Sequence, residues 1–138
     1  MTANIPDKYL DLLKRPVVVT LGTIMPGGEP QLTPVWCSFD GQHLWVNTTR
    51  GRQKWRNMRE RPEVTVLAVD PDNPYRWLEV RGEVVEMTEQ GGVEHINALA
   101  KKYEGVDEYY GAYAPTERRY QETRVICKVQ PRRVNAVG

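Results

Sequence analysis

The sequence predicts a small antiparallel β-barrel carrying short helices, on three observations. About six short runs are apolar or alternate apolar with polar, and clusters of Pro, Gly and Asp bound them. The first joints between them are of hairpin length, and no long crossover helix of the kind parallel strands require separates any pair. At 138 residues the chain has the size of one domain, 1–138. Its core is modest, and oligomerisation would help it.

The elements follow in order. Asp7–Lys14 lies between Pro6 and Pro16 and reads as a short helix with Leu10, Leu13 and Tyr9 inward. Val17 to Ile24 opens with an unbroken apolar run, Val17-Val18-Val19, which suits a central strand covered on both faces. Pro26-Gly27-Gly28-Glu29 turns the chain into a strand from Gln31 to Phe39, and Asp40-Gly41 turns it again into His43 to Thr48. Three strands in a meander are expected. A basic helix then runs to Pro62, and Val64 to Val69 is a fourth strand broken by Asp70-Pro71-Asp72-Asn73-Pro74. Tyr75 to Met87 is a fifth, with Leu78, Val80, Gly82 and Val84 on one face and a bend expected at Gly82. Glu89 to Tyr103 spaces Val93, Ile96, Leu99, Ala100 and Tyr103 as an amphipathic helix ending at Gly105. A tyrosine-rich loop leads to a last strand, Arg124 to Val134, with Val125, Cys127 and Val129 on one face.

Composition excludes several function classes. Nineteen Lys and Arg against eighteen Asp and Glu leave +1 overall, too little for a general binder of nucleic acid or anionic membranes. No stretch is long and apolar enough to span a membrane, and Met1 to Leu10 does not read as a signal peptide, so the expected location is the cytoplasm. Cys37 and Cys127 sit inside strands without C-x-x-C spacing and read as buried thiols. His43 and His95 are isolated, so no metal site is expected. There is no G-x-S-x-G elbow, P-loop or G-x-G-x-x-G after a strand, and no catalytic side chain announces itself. Chemistry, if any, therefore falls to a bound organic cofactor.

The basic charge is local. Arg50, Arg52, Lys54, Arg56, Arg59 and Arg61 fall within twelve positions, where Asn47-Thr48-Thr49 gives way to the basic helix. Cations in a first helical turn oppose the helix dipole unless an anion neutralises them, so this junction reads as an anion cradle suited to phosphate. The plainer alternative is a solvated basic face.

Three segments carry a resemblance: Gln31-Leu32-Thr33-Pro34-Val35-Trp36; Arg52-Gln53-Lys54-Trp55-Arg56-Asn57-Met58 with Pro62; and Tyr75-Arg76-Trp77-Leu78-Glu79-Val80-Arg81-Gly82. In order and spacing they resemble the pyridoxamine 5′-phosphate oxidase-like flavoprotein superfamily, from about Leu12 to Val134. The segment Glu94 to Tyr103 is similar to its branch of probable deazaflavin (coenzyme F420)-dependent enzymes. The resemblance implies a split β-barrel homodimer with two cofactor sites at the subunit interface. It assigns the cofactor phosphate to Thr48, Thr49, Arg52 and Lys54, and the tricyclic ring to Gln31, Pro34 and Val35, with Trp77 contributed across the interface. Trp36, Tyr110 and Tyr113 are candidates for a substrate pocket.

Coenzyme F420 is the expected cofactor and FMN the alternative. F420 extends into an acidic oligoglutamate tail, and Arg50, Arg56 and Arg59 exceed what one phosphate needs. True pyridoxamine phosphate oxidases carry a C-terminal substrate-binding segment not seen after Arg132-Arg133-Val134, so vitamin B6 oxidation is disfavoured. The expected activity is hydride transfer from reduced deazaflavin to an unsaturated or conjugated small molecule. The competing readings are an FMN-dependent oxidoreductase, a non-catalytic flavin or deazaflavin carrier, and a nucleic-acid-binding barrel.

Overall fold

In a computed structural model, which describes residues 2–138, the chain forms seven strands and three α-helices. The strands are β1 (Val19–Ile24), β2 (Pro30–Val35), β3 (Cys37–Phe39), β4 (Leu44–Thr49), β5 (Glu63–Val69), β6 (Trp77–Thr88) and β7 (Arg124–Val137). The helices are α1 (Asp11–Lys14), α2 (Gln53–Glu60) and α3 (Gly92–Glu104), with 3-10 turns at Asp7–Tyr9 and Thr116–Tyr120. All strand pairings are antiparallel, in the order β2-β1-β5-β6-β7-β4-β3. The expected mainly-β antiparallel barrel architecture is present, with seven strands where about six were expected.

The added strand comes from a division of the segment 31–39. Its first half pairs with β1 and its second with β4, at opposite ends of the sheet order, and only Trp36 lies between them. The sheet therefore curls until its two edge strands meet at one residue. This replaces the expected three-strand meander: β3 and β4 form a hairpin of their own, and β4 is carried by β7. Pro30 and Pro34, four apart in β2, remove two N–H groups from the same strand edge, which suits a terminal strand.

Other boundaries shift little. β7 runs on to Val137, pairing with Trp77 at the start of β6. Gly82 lies at a register shift between β6 and β7, and a Cβ there would stand 2.6 Å from the Gln130 carbonyl oxygen and 2.7 Å from Val129 Cγ1. The expected bend is thus a bulge that only glycine allows. In the leading segment Leu12 and Leu13 are buried while Leu10 is half-exposed, because the 3-10 turn advances the chain faster than the α-helical spacing assumed for Leu10.

The barrel interior is filled by alternate residues of each strand: Val19 and Leu21, Leu44 and Val46, Val64 and Val66, Leu78 and Val80, Val125, Cys127 and Val129. Leu12, Leu13 and Met58 of the helices close its ends. A second, smaller cluster of Ile96, Leu99, Tyr110 and Ala114 packs with Trp36, Tyr103 and Tyr109. It clamps α3 over the sheet edge. Lys102 Nζ donates to the Leu13 and Cys37 carbonyls at 2.6 and 2.7 Å, while Tyr103 Oη donates to the Val17 carbonyl and accepts from the Cys37 N–H. Among the described residues, no helix is long and apolar enough to cross a membrane.

Candidate functional site

The junction between β4 and α2 is built by local sequence. Thr48 and Thr49 end the strand, and Gly51, at φ +95°, reverses the chain in a conformation that L residues rarely adopt. Arg52 then takes the N-cap position in an extended conformation, and no side chain caps α2. Its first turn holds no acid either. The N–H groups of that turn are thus left for solvent or a ligand, at the positive end of the helix dipole.

The six clustered cations divide sharply in their partners. Arg50 Nη1 donates to Glu89 at 2.9 Å, Arg56 bonds the Gly51 carbonyl and Gln53, and Arg59 lies over the Trp55 ring. Arg61 Nε donates to the Ile24 carbonyl at 2.8 Å and pairs with Glu60. Among the described residues the Arg52 side chain has only Glu122 as an ion-pair partner, at 3.9 Å. Lys54 forms no hydrogen bond or ion pair with any described residue, and its half-burial, together with the Arg52 charge, holds its ammonium below the usual lysine pKa. A half-buried, unpaired cation beside another cation is a site that an anion relieves.

Both cations open onto one cavity of about 440 Å³, a size suited to a small organic ligand. Its walls are Pro34, Val35 and Val18 from the β1–β2 edge, Trp36 from the seam, Asn47 from β4, Ile96 and Leu99 from α3, and Tyr109 and Tyr113 from the following loop. Among the described residues, no carboxylate or histidine lines it. The Trp36 ring stacks on Tyr103 with centroids 5.2 Å apart and meets Tyr113 edge-on at 5.0 Å.

The sequence-predicted residues distribute unevenly around this cavity. Pro34, Val35, Arg52 and Lys54 line it together. Thr48 and Thr49 are buried at the adjoining strand end, and the Thr48 hydroxyl has no hydrogen-bond partner among the described residues. Gln31 lies outside the cavity lining, its amide oxygen within 3.4 Å of both Thr23 and Asn57, which ties β2 to α2. Trp77 stands apart, in a separate depression with Leu67, Val69, Arg81 and Val137. Of the substrate-pocket candidates, Trp36 and Tyr113 line the cavity while Tyr110 lies buried, its hydroxyl bonded to Glu122 and Arg124.

Sequence reasoning missed the polar floor beneath the cavity. Arg124, 5% exposed, donates from Nε to Tyr110 Oη at 2.9 Å and from Nη1 to Asn47 Oδ1 at 3.3 Å, and lies 4.7 Å from the Tyr109 ring centre. Asn47 Nδ2 in turn donates to the Gly92 carbonyl at 2.9 Å and faces His95 Nδ1 at 3.1 Å. The available signal was an arginine directly ahead of the apolar run Val125-Ile126-Cys127.

Ser38, His95 and Asn47 have the spacing of a nucleophile, base and orienter, with Ser38 Oγ 3.0 Å from His95 Nε2. Their polarity is wrong for that role. Arg124 and the Gly92 carbonyl fix the Asn47 amide so that its NH₂ faces Nδ1, which must accept. His95 Nε2 therefore carries the hydrogen and donates to Ser38, so it cannot take the serine proton. Burial also pushes the His95 pKa down to about 4, holding it neutral.

The residues present fit a phosphate-bearing planar cofactor: an uncapped helix start, an unpaired ammonium, a buried hydroxyl without a partner and a flat apolar wall beside them. Comparison with known proteins is consistent with that. The family model described as pyridoxamine 5′-phosphate oxidase matches residues 5–138. A solved structure titled F420 reductase is 36% identical, covers 95% of this chain and 98% of its own, and superposes with a TM-score of 0.81. A conserved hypothetical protein from Mycobacterium tuberculosis is 25% identical over 99% of this chain and 86% of its own, TM-score 0.73. The heme storage protein HutZ from Vibrio cholerae shares the fold at 11% identity, covering 99% of this chain and 96% of its own, TM-score 0.67. No curated protein matches the chain.

Proposed function

The chain belongs to the pyridoxamine 5′-phosphate oxidase family, and on that premise we propose that it is an oxidoreductase that binds coenzyme F420 and reduces an unsaturated or conjugated small molecule. One observation carries the reading: Lys54, half-buried and unpaired, sits in the uncapped first turn of α2 and opens onto an aromatic-walled cavity. The 36% identity to a protein titled F420 reductase supports the deazaflavin over FMN.

Arg52, Lys54 and the free N–H groups of α2 hold the phosphate by charge-assisted hydrogen bonds. Thr48 and Thr49 supply hydroxyls at the strand end. Pro34 and Val35 give the ring an apolar bed without polar competition. When bound, the deazaflavin supplies a hydride to the acceptor. Trp36, Tyr109 and Tyr113 position a planar acceptor and exclude water. Among the described residues no carboxylate or histidine lines the cavity, and in this reading solvent supplies the proton that completes reduction. Arg56 and Arg59 lie exposed along α2 and receive an acidic tail. The working unit in this reading is a homodimer, in which the partner subunit's Trp77 completes each ring site.

The test is parallel titration of the purified protein with F420 and FMN at one salt concentration, read by ligand fluorescence or calorimetry. Tighter F420 binding with reduction of conjugated acceptors supports the reading; a clear FMN preference makes the protein an FMN flavoprotein, and binding of both without any turnover makes it a carrier. Replacing Arg52 and Lys54 by Ala together is expected to weaken cofactor binding by on the order of a hundredfold, the loss of two charge-assisted contacts. Unchanged affinity in that variant rules out the cradle.

A further inference from the structure

Glu122, two residues ahead of β7, is the one acid among the described residues that pairs with Arg52 or Lys54, and its two oxygens are treated differently. Oε1 is anchored: it accepts from Tyr110 Oη at 3.0 Å and stands 3.4 Å from Arg124 Nη2. Oε2 is open, 3.9 Å from Arg52 Nη2, at the outer limit of an ion pair. The carboxylate is 13% exposed, so water screens it little. It thus touches both the cation at the start of α2 and the buried cation under the cavity floor.

We propose that Glu122 is a specificity-determining residue of the anion site: a resident counter-ion that an arriving phosphate displaces from Arg52, and that transmits occupancy to the acceptor wall through Arg124. The inference rests on the cradle reading above. Its physical basis is a charge count. Arg52, Lys54 and Arg124 contribute three positive charges, against the single negative charge of Glu122. A phosphate seated on Arg52 repels Oε2, and the anchored end leaves the carboxylate one favourable response, closer approach to Arg124. Arg124 then yields on the longer of its remaining hydrogen bonds, the 3.3 Å bond to Asn47 Oδ1. Asn47 lines the cavity and Tyr109 lies against Arg124, so the acceptor wall is set by whether the phosphate site is filled. Glu122 also sets a threshold, because an anion must outcompete it for Arg52; inorganic phosphate or a phosphomonoester, both dianionic, does so more readily than a singly charged phosphodiester or carboxylate.

The experiment uses the full chain with inorganic phosphate, FMN and riboflavin as probes in low salt. Glu122→Gln is expected to tighten binding of phosphate and FMN about tenfold, leave riboflavin unchanged, and lose its effect in an Arg52→Gln background. Glu122→Asp keeps the counter-charge of Arg124 but withdraws it from Arg52, so it tightens phosphate in the same direction even if the glutamine variant folds poorly. In the wild type the Asn47 side-chain amide NMR signal shifts on phosphate addition; in Glu122→Gln it does not. Phosphate affinity that is unchanged or weaker in both folded variants, or a gain that persists without Arg52, overturns the proposal. Should the wild type bind phosphate with these variant effects yet take up neither F420 nor FMN, the Glu122 assignment stands and the cofactor reading falls. Should F420 bind tightly with both variants indifferent, the reverse holds. A wild type that binds neither phosphate nor either cofactor overturns both.

Discussion

Thr48 concentrates the ligand question in one hydroxyl. It is 1% exposed, and its oxygen has no partner among the described residues, a state that costs about 1–3 kcal/mol. Thr48→Val keeps the shape and removes the orphan. The ligand-free protein is therefore expected to gain on the order of 1 kcal/mol in urea unfolding, while FMN or F420 affinity falls several-fold. A destabilised valine variant shows instead that the hydroxyl is satisfied in the folded protein. At this scale the sequence was legible where a residue's role depends on its neighbours in the chain. Lys54 and Arg52 were readable because cations at a helix start are unfavourable wherever the fold puts them. Arg124 was not, because its contact with Asn47 spans 77 residues and exists only once β4 pairs with β7. Tyr109, Glu122 and Asn47 escaped for the same reason.

α2 is the element on which the site depends, and its entry turns on Gly51. A Cβ at Gly51 meets nothing within 4 Å, so Gly51→Ala isolates the backbone cost of φ +95°. That substitution is expected to lower stability by about 1–2 kcal/mol and to weaken phosphate-dependent binding by tilting the first turn of α2. Denaturant unfolding and FMN titration check the two effects separately, and an unchanged titration shows that the helix start is set from elsewhere. The surplus of cations at the helix start was visible beforehand, whereas the missing cap at Arg52 emerges only once the helix boundary is fixed. The seam at Trp36 was not visible either. Apolar and polar residues run on through 31–39 without a break, and only Pro30 and Pro34 hint that the first half is an edge. Strand patterning records which face is buried but not which neighbour is paired, so a run shared between two sheet edges reads as one strand.

For the molecule as a whole, His95 makes stability depend on acid. Its folded pKa, about 4, lies below the ordinary 6.5, so an unfolded chain binds the proton more readily than the native one. Stability is full above pH 6.5 and is lost as pH falls from there towards 4, by about 3 kcal/mol over that window at 1.36 kcal/mol per pKa unit. Asp11 and Asp70, both paired with Arg76, have pKa values held below the carboxylate range, so their contribution is lost at lower pH still. Urea unfolding at pH 7 and pH 4.5 is expected to show the drop in the wild type and a flatter profile in His95→Gln. An equal drop in both assigns it to other groups. The seam at Trp36 has its own thermodynamic consequence. Trp36 is at once a wall of the cavity and the residue at which the two sheet edges meet, so cavity and closed barrel form in one step and the unfolded chain offers a ligand nothing to hold. Occupancy is thereby linked to melting: an acceptor at a hundred times its Kd raises stability by about 2.7 kcal/mol, which makes a shift in Tm a screen for the unidentified substrate that needs no turnover.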